Sequence, residues 1–201
     1  MSLPSEVRTL LDAPAATLAA AMAEGHPIQA ADLAGHAYLG ISLGLPAWVD
    51  RALWKTFVKA FAPAEGGGLR GWNVKMAQAG LEGPHAPLRH KDGRPRVFGH
   101  FAVVPCPAGR ADRLGPATVL LDYAVSDNPL LDPSRAIRDP LVSLRAGTAS
   151  VLLGRTYVSI LGGWLGTPSY FCLVRDADMQ HLTDSEALLK EGQTSAHAAA
   201  R

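Results

Sequence analysis

Two charged residues lie inside otherwise apolar runs, and they are the first candidates for functional residues. Asp122 follows three consecutive apolar residues, and Arg155 lies in a run of Val, Leu and Tyr. A buried arginine is costly unless it is paired, so Arg155 requires a carboxylate, a ligand or solvent. Asp122 is its natural partner. Arg138, Asp139 and Arg175 can extend the network. The pattern fits either a structural ion pair or a polar anchor for an otherwise apolar ligand.

A tyrosine and a histidine complete this candidate set. Tyr157 shares a strand face with Arg155, since side chains alternate with a period of two along a strand. His100 lies within an apolar strand, where a histidine acts as a general base, binds haem iron or is simply hydrogen-bonded in the core. We therefore predict ligand binding by Arg155, Asp122, Tyr157 and His100. Haem at a histidine is a minor cofactor alternative, and otherwise no cofactor is expected.

The sequence offers little that is typical of a metal site or of a nucleophilic enzyme. The histidines lack HxH and HExxH spacing, and the cysteines form no CxxC pair, so no metal is predicted. Residues 40–44 match GxSxG, the nucleophile elbow of serine hydrolases, around Ser42. That elbow needs a preceding strand and a following helix within a parallel sheet, which the downstream sequence does not support. We interpret the match as chance and leave the catalytic residues unassigned.

Composition limits the class of protein. Of the 201 residues, 48% are hydrophobic and only 18% are charged, below the usual charged fraction of about 25%. This balance indicates one domain with a large core or an apolar cavity. The net charge of +1 argues against binding to nucleic acid or to an anionic membrane. The apolar run at 15–23 is too short to span a bilayer, and two cysteines suit the cytoplasm, where we expect the protein.

Short apolar segments separated by turns predict the fold. They have the Val, Leu, Ile, Tyr and Phe content of strands, and no helices lie between most of them. We therefore expect a mainly β, antiparallel barrel over residues 32–176, with an N-terminal helical extension at 1–31 and a polar tail at 177–201. The predicted strands are a weak one at 38–44 and six firmer ones at 71–78, 97–105, 116–125, 138–144, 150–161 and 169–176.

Residues 47–61 predict the clearest helix. Pro46 suits its first turn, where a missing N–H has little effect. Arg51, Lys55 and Lys59 mark a polar side, and large apolar residues fill the rest. We expect this helix to pack on the barrel or to close one end. Its tryptophan-bearing surface also offers a docking face for another protein.

Seven short motifs, spread in order over residues 32–176, carry a resemblance to other proteins. They are Asp32-Leu33-Ala34-Gly35, Tyr38-Leu39-Gly40, Trp54-Lys55-Thr56-Phe57, Leu121-Asp122-Tyr123, Arg138-Asp139, Leu152-Leu153-Gly154-Arg155 and Tyr170-Phe171-x-Leu173-x-Arg175. On these motifs the chain resembles uncharacterised bacterial proteins that pair a short Gly-x-Trp-x-Gly domain with a β-rich domain of unknown function. Residues 35–40 are one residue longer than that motif and carry Tyr in place of Trp. The family is similar to lipocalin-type barrels, so the resemblance implies a lipocalin-like fold and a small apolar ligand. No catalytic residue can be carried over from it.

These observations support one functional prediction and leave two alternatives. We predict a barrel that binds a small hydrophobic ligand through the four polar residues named above. One alternative is a barrel enzyme, such as an isomerase, cyclase or dehydratase, in which His100 or Asp122 transfers protons and Arg155 stabilises negative charge. The other is a protein-interaction module. The expected partner is a small apolar molecule, with no nucleic acid and no integral membrane segment, and the oligomeric state is left open.

Overall fold

Eight antiparallel strands close into a barrel. The computed structural model describes residues 3–45, 55–81, 83–110, 114–125 and 128–184. The strands are β1 (Ala37–Leu43), β2 (Thr56–Pro63), β3 (Leu69–Lys75), β4 (Val97–Pro105), β5 (Val119–Asp122), β6 (Ile137–Ser143), β7 (Val151–Ile160) and β8 (Gly163–Arg175). Each strand pairs with the next along the chain, and β8 pairs with β1 to close the sheet. This architecture confirms the predicted mainly β, antiparallel, lipocalin-like barrel.

Both faces of the barrel wall are apolar because both faces are covered. Along β7, Leu152 and Gly154 face the interior, while Val151 and Leu153 face outwards. The inner side chains pack on one another across the barrel, and the outer ones pack beneath helical segments. Strand alternation therefore gives no polar face from which the interior could be identified in the sequence.

Two short helices cover one side of the barrel. α1 spans Ser5–Leu10 and α2 spans Ala15–Glu24, both within the predicted N-terminal helical extension. Pro14 lies between them, where it interrupts a continuous helix. Val7 and Leu18 are fully buried in one apolar cluster with outward residues of β1, β7 and β8. The N-terminal segment therefore forms part of the outer layer of the barrel. Within the described ranges, no helix has the length and apolar character needed to cross a membrane.

The predicted helix at 47–61 is wrong over its second half. Residues Thr56–Pro63 form β2, which pairs with β1 on one side and with β3 on the other. The first part of that prediction, at 47–54, lies outside the described residues. Pairing on both sides supplies the backbone hydrogen bonds of this segment, so tertiary context overrides the local preference for a helix.

The side chains of β2 explain why the helical period was misleading. Phe57 and Phe61 pack with the inner cluster, while Val58 packs outside with Leu182, which lies in a short 3₁₀ helix near the end of the described chain. Large residues on both faces fit a period of 3.6 as well as a period of two. Lys59 lies midway between Phe57 and Phe61, two residues from each. It therefore shares their face of the strand and points into the barrel interior.

Aromatic side chains fill one end of the barrel. Phe61 makes edge-to-face contacts with Tyr38 and Phe101, at ring-centroid distances of 5.5 and 5.4 Å. The ring of Phe101 lies so close to the wall that a Cβ on Gly71 would approach it to 2.4 Å. Glycine at this position lets the ring cross the interior. We call this filled region the packed end.

Candidate functional site

A buried lysine lies in the middle of the barrel interior. Lys59 is 2% exposed. Its ammonium donates hydrogen bonds to Asn73 Oδ1 at 2.8 Å and to Tyr123 Oη at 2.6 Å. Asn73 lies on β3, and Tyr123 directly follows β5. Closure of the sheet thus brings together three polar side chains that are far apart in the sequence.

A buried carboxylate faces this lysine from β6. Asp139 is 3% exposed, and its Oδ2 lies 3.7 Å from Lys59 Nζ. Tyr123 Oη donates a hydrogen bond to the same oxygen at 3.1 Å, so the phenol bridges the ammonium and the carboxylate. The second oxygen, Oδ1, is buried and makes no hydrogen bond of normal length to the described residues, although the Thr156 hydroxyl is close enough to stabilise the carboxylate. Because buried polar atoms are nearly always hydrogen-bonded, Oδ1 is suited to accept a bond from a further group.

Four aromatic rings surround the ammonium. Their centroids lie 5.0–5.4 Å from Lys59 Nζ, and they belong to Phe57, Phe101, Tyr123 and Phe171. Cation–π attraction offsets part of the free energy lost when the ammonium leaves water. Phe101 belongs to the packed end, whereas Phe57 and Phe171 border free space. Lys59 therefore lies at the boundary between the packed end and the open end of the barrel.

Burial shifts both charged groups towards their neutral forms. Loss of water lowers the pKa of Lys59 to about 8, although the nearby Asp139 opposes this shift. Loss of water raises the pKa of Asp139, and the charge of Lys59 together with the hydroxyls of Thr156 and Tyr123 opposes that increase. Burial and the Asp139 charge raise the pKa of Tyr123 well above its ordinary value, so its phenol keeps its proton. Proton transfer from the ammonium to the carboxylate is therefore favoured more than it would be in water.

A cavity of about 240 Å³ opens on the other side of this cluster, away from the packed end. Its wall includes Phe57, Phe98, Ile137 and Phe171, and Lys59, Tyr123, Asn73 and Asp139 also line it. The volume is just below the range of about 300–1,000 Å³ that is usual for ligand pockets, which limits a ligand to a small molecule. The arrangement is a largely apolar cup with a charged, hydrogen-bonding floor, and Ser42, Ser134, Thr156 and Ser169 also contribute to its wall. We call Lys59, Tyr123, Asn73 and Asp139 the floor cluster.

Arg155 and Tyr157 lie outside the barrel and do not contact this cavity. The Arg155 guanidinium lies 5.1 and 5.2 Å from the ring centroids of Tyr157 and Tyr170, and its Nε donates to the Thr167 carbonyl oxygen at 3.3 Å. Arg155, Tyr157 and Tyr170 line a groove on the outside of the barrel, and Met22 of α2 borders that groove as well. Arg155 is therefore held by two rings and a backbone carbonyl. The predicted role of these two residues as polar contacts inside the barrel is not supported by their position.

Asp122 forms an ion pair with a different arginine from the one predicted. Its Oδ1 lies 3.2 Å from Arg138 Nη1, and the two residues stand opposite each other in the β5–β6 register. Leu121 and Tyr123, on either side of it in sequence, face the interior, so Asp122 faces outwards. Asp122 and Arg155 consequently do not form the expected pair.

His100 also lies on the outer face, between the inward-facing Gly99 and Phe101. Its backbone N–H donates to Asn128 Oδ1 at 2.8 Å, and its ring centroid is 6.4 Å from that of Trp72. It borders a groove of about 470 Å³ on the outside of the barrel. This groove is larger than the inner cavity, but it lies against an exposed turn. The inner cavity contains a buried ion pair, so the inner cavity is the better candidate for a functional site.

Across the described ranges, no cluster of three His, Cys, Asp or Glu side chains is arranged to hold a metal ion.

Two members of the floor cluster had little signal in the sequence. Lys59 fits the polar side of a helix, and Asn73 fits the polar face of a half-buried strand. The period-two spacing of Lys59 between Phe57 and Phe61 is the one signal that favours an inward lysine. Ser42, the central residue of the GxSxG match, also lines the cavity, but it lies within β1 of an antiparallel barrel. It does not occupy the strand-to-helix turn of a nucleophile elbow.

Comparison with known proteins identifies no relative of this chain. No protein-family model, no curated protein and no solved structure matches it. The likeness to the Gly-x-Trp-x-Gly proteins stays a prediction. Function is therefore argued from the geometry of the cavity and its floor cluster.

Proposed function

We propose that this protein binds a small, neutral and largely apolar molecule in the barrel cavity, through one carbonyl or hydroxyl group. One observation carries the proposal: a buried Lys–Tyr–Asp cluster forms the floor of a largely apolar cavity of about 240 Å³. Ligand pockets commonly combine apolar walls with a few polar groups that fix orientation. The lipocalin-like barrel and the family resemblance support the same function.

The charge of the floor cluster favours a neutral ligand. Lys59 and Asp139 carry opposite charges and largely cancel each other. A ligand carboxylate would place a second negative charge close to Asp139 in a region with little water, where repulsion between like charges is strong. A carbonyl or hydroxyl group adds no charge. A small ketone, aldehyde or alcohol thus fits the site better than a carboxylic acid.

The floor cluster offers both a donor and an acceptor to such a group. The ammonium of Lys59 can donate to a carbonyl or hydroxyl oxygen, and Oδ1 of Asp139 can accept from a hydroxyl. The apolar body of the ligand then packs against Phe57, Phe171 and Ile137. We therefore propose that the inner face carries the binding role. The proton-transfer alternative built on His100 or Asp122 lacks support, because both lie on the outer face.

We also place the protein in the cytoplasm. Cys106 and Cys172 are both free thiols. Burial raises the pKa of Cys106 to about 11 and that of Cys172 to about 12, which keeps both thiols protonated and unreactive. Free thiols are usual in a reducing compartment.

Benzyl alcohol and benzoate are a matched pair of probes for this proposal, because they share a ring and differ in the charge of the head group. In NMR titrations at neutral pH, we expect benzyl alcohol to bind at least about tenfold more tightly than benzoate. Lys59→Met should weaken benzyl alcohol binding at least about tenfold, since a hydrogen bond to a charged group contributes about 1.5–3 kcal/mol. Lys91→Met, at an exposed loop position, should leave the affinity unchanged.

Two results would contradict the proposal. Equal or tighter binding of benzoate would mean that the floor cluster does not select against negative charge. Unchanged benzyl alcohol binding by a folded Lys59→Met variant would place the binding site elsewhere. Tyr123→Phe, which removes only the bridging hydroxyl, provides a second variant if Lys59→Met does not fold.

A further inference from the structure

We infer that Lys59 does more than hold a carbonyl ligand: its amine reacts with the carbonyl carbon and forms a reversible imine. This inference rests on the proposed binding of a neutral ligand in the barrel cavity. It adds a chemical class, an aldehyde or ketone, and a covalent step. The cavity gives the carbonyl access to Nζ, because Lys59 is itself one of the lining residues.

The geometry supplies a path for the proton that the ammonium must release. Lys59 Nζ donates to Tyr123 Oη at 2.6 Å, and Tyr123 Oη donates to Asp139 Oδ2 at 3.1 Å. The carboxylate is also 3.7 Å from the nitrogen directly. One hydroxyl thus connects the proton donor with the nearest base. A nucleophilic lysine requires an arrangement of this kind, since only the neutral amine attacks.

The surroundings of Lys59 make the neutral amine accessible near neutral pH. With the pKa lowered to about 8, roughly a tenth of the Lys59 side chains are uncharged at pH 7. A lysine in water is almost entirely charged at that pH, because its ordinary pKa is about 10.5. The aromatic rings around the nitrogen also favour a cationic product, since they attract an iminium as they attract an ammonium.

The reaction proceeds in balanced steps. The Lys59 ammonium passes one proton through Tyr123 to Asp139, leaving a neutral amine and a neutral carboxyl group. The nitrogen lone pair forms a bond to the carbonyl carbon, and the C=O π pair moves to oxygen. A proton passes from nitrogen to that oxygen, which gives a neutral carbinolamine. Asp139 then returns its proton to the hydroxyl, the C–O bond breaks, and the nitrogen lone pair forms the C=N bond as water leaves.

The product pairs with the same carboxylate as the free lysine. The sum of the steps converts an ammonium and a carbonyl into an iminium and one water, with no net change in protons. Asp139 is again ionised and lies beside the iminium nitrogen. The charge of the floor cluster is the same before and after reaction, so imine formation leaves no uncompensated charge in the interior. Hydrolysis by the reverse path releases the carbonyl compound.

Reductive trapping of the 201-residue chain tests this inference. The protein is incubated at neutral pH with cyclohexanone, reduced with sodium borohydride and digested for peptide mass mapping. We expect the cyclohexyl adduct on Lys59 to exceed that on the exposed Lys91 at least about tenfold, since the neutral amine is the reactive form. Tyr123→Phe should slow adduct formation at Lys59 by about tenfold or more, because it removes the hydroxyl between amine and carboxylate.

Cyclohexanol, which has no carbonyl, separates this inference from the proposed function. Binding of cyclohexanol in the cavity without any cyclohexanone adduct at Lys59 would overturn the imine and leave the binding proposal intact. Absence of both would overturn both. Equal labelling of Lys59 and Lys91 would also overturn the imine, because it would show ordinary surface reactivity. The mapping uses the wild-type protein, so it does not depend on the folding of a variant.

Discussion

Lys59 and Arg155 are both cations within apolar strands, but they differ in direction, exposure and partners. Lys59 faces inwards, is 2% exposed and shares a hydrogen-bond network with Asp139. Arg155 faces outwards, is partly exposed and lies between two tyrosine rings. The first cation needs a buried counter-charge, whereas the second retains contact with water and needs none. A charge in an apolar strand is thus not by itself evidence for a ligand site.

The difference arises from side-chain length and chemistry as well as from location. A guanidinium is planar and stacks on rings at the edge of the barrel, where solvent still reaches it. An ammonium is compact, and its pKa shifts readily when it is buried. The barrel therefore places the ammonium beside a buried carboxylate, and it leaves the guanidinium on the outer face, where solvent reaches it. This contrast can be tested by removing each partner in turn.

The largest effect is expected from removing the counter-charge of Lys59. Asp139→Leu leaves the ammonium buried beside neutral partners only, and breaking one side of a buried ion pair typically costs about 3–5 kcal/mol. We expect the free energy of unfolding to fall by that amount at neutral pH, measured by urea denaturation with circular dichroism.

The double variant Lys59→Met/Asp139→Leu is the matched control for this prediction. Replacing both members of a buried pair by apolar residues is often neutral or stabilising. We expect the double variant to be within about 1 kcal/mol of the wild-type protein. A loss equal to the sum of the two single losses would mean that the two residues act independently and that the floor cluster is not a coupled unit.

A smaller effect is expected from the pH dependence of stability. The folded-state pKa of Lys59, about 8, is below the ordinary value of 10.5, so between these values the unfolded chain binds more protons than the folded one. Stability then increases with pH. We expect wild-type stability, relative to Lys59→Met, to rise by on the order of 1–3 kcal/mol between about pH 8 and about pH 10.

Urea titrations at several pH values measure this difference. Lys91 remains in water on folding, so a Lys91→Met variant should follow the wild-type curve over the same range. A constant difference between wild type and Lys59→Met across that range would contradict the lowered pKa of Lys59. It would also remove one support for the imine, since the amine would then stay charged near neutral pH.

The smallest effect is expected at the outer cation. Arg155→Lys keeps the charge but loses the planar group that lies between Tyr157 and Tyr170. We expect a loss of about 0.5–1 kcal/mol in the free energy of unfolding and no change in the affinity for benzyl alcohol. A clear loss of benzyl alcohol binding, in a variant of nearly wild-type stability, would show that Arg155 contributes to ligand binding. It would contradict the distinction between Arg155 and Lys59.

The site could be predicted from the sequence only in part. Asp139 was recognised as a residue that could join a charged network, but its partner is Lys59 and not Arg155. Lys59 itself lies in a segment whose apolar residues fit a helix, and pairing with β1 and β3 makes that segment a strand. The strand pairing that decides this is not a local property, so the residues of the segment alone do not reveal it.

By itself, the sequence determined the strand-rich character of the chain, the antiparallel order implied by short connections, and the helical character of the N-terminal segment. These features follow from local apolar spacing and turn residues. Only the tertiary structure decided which face of each strand is interior. Both faces are apolar, and a shift of one residue in the strand register would exchange them. The register of the closed sheet therefore decides that Lys59 and Asp139 face the interior and that Arg155 faces outwards.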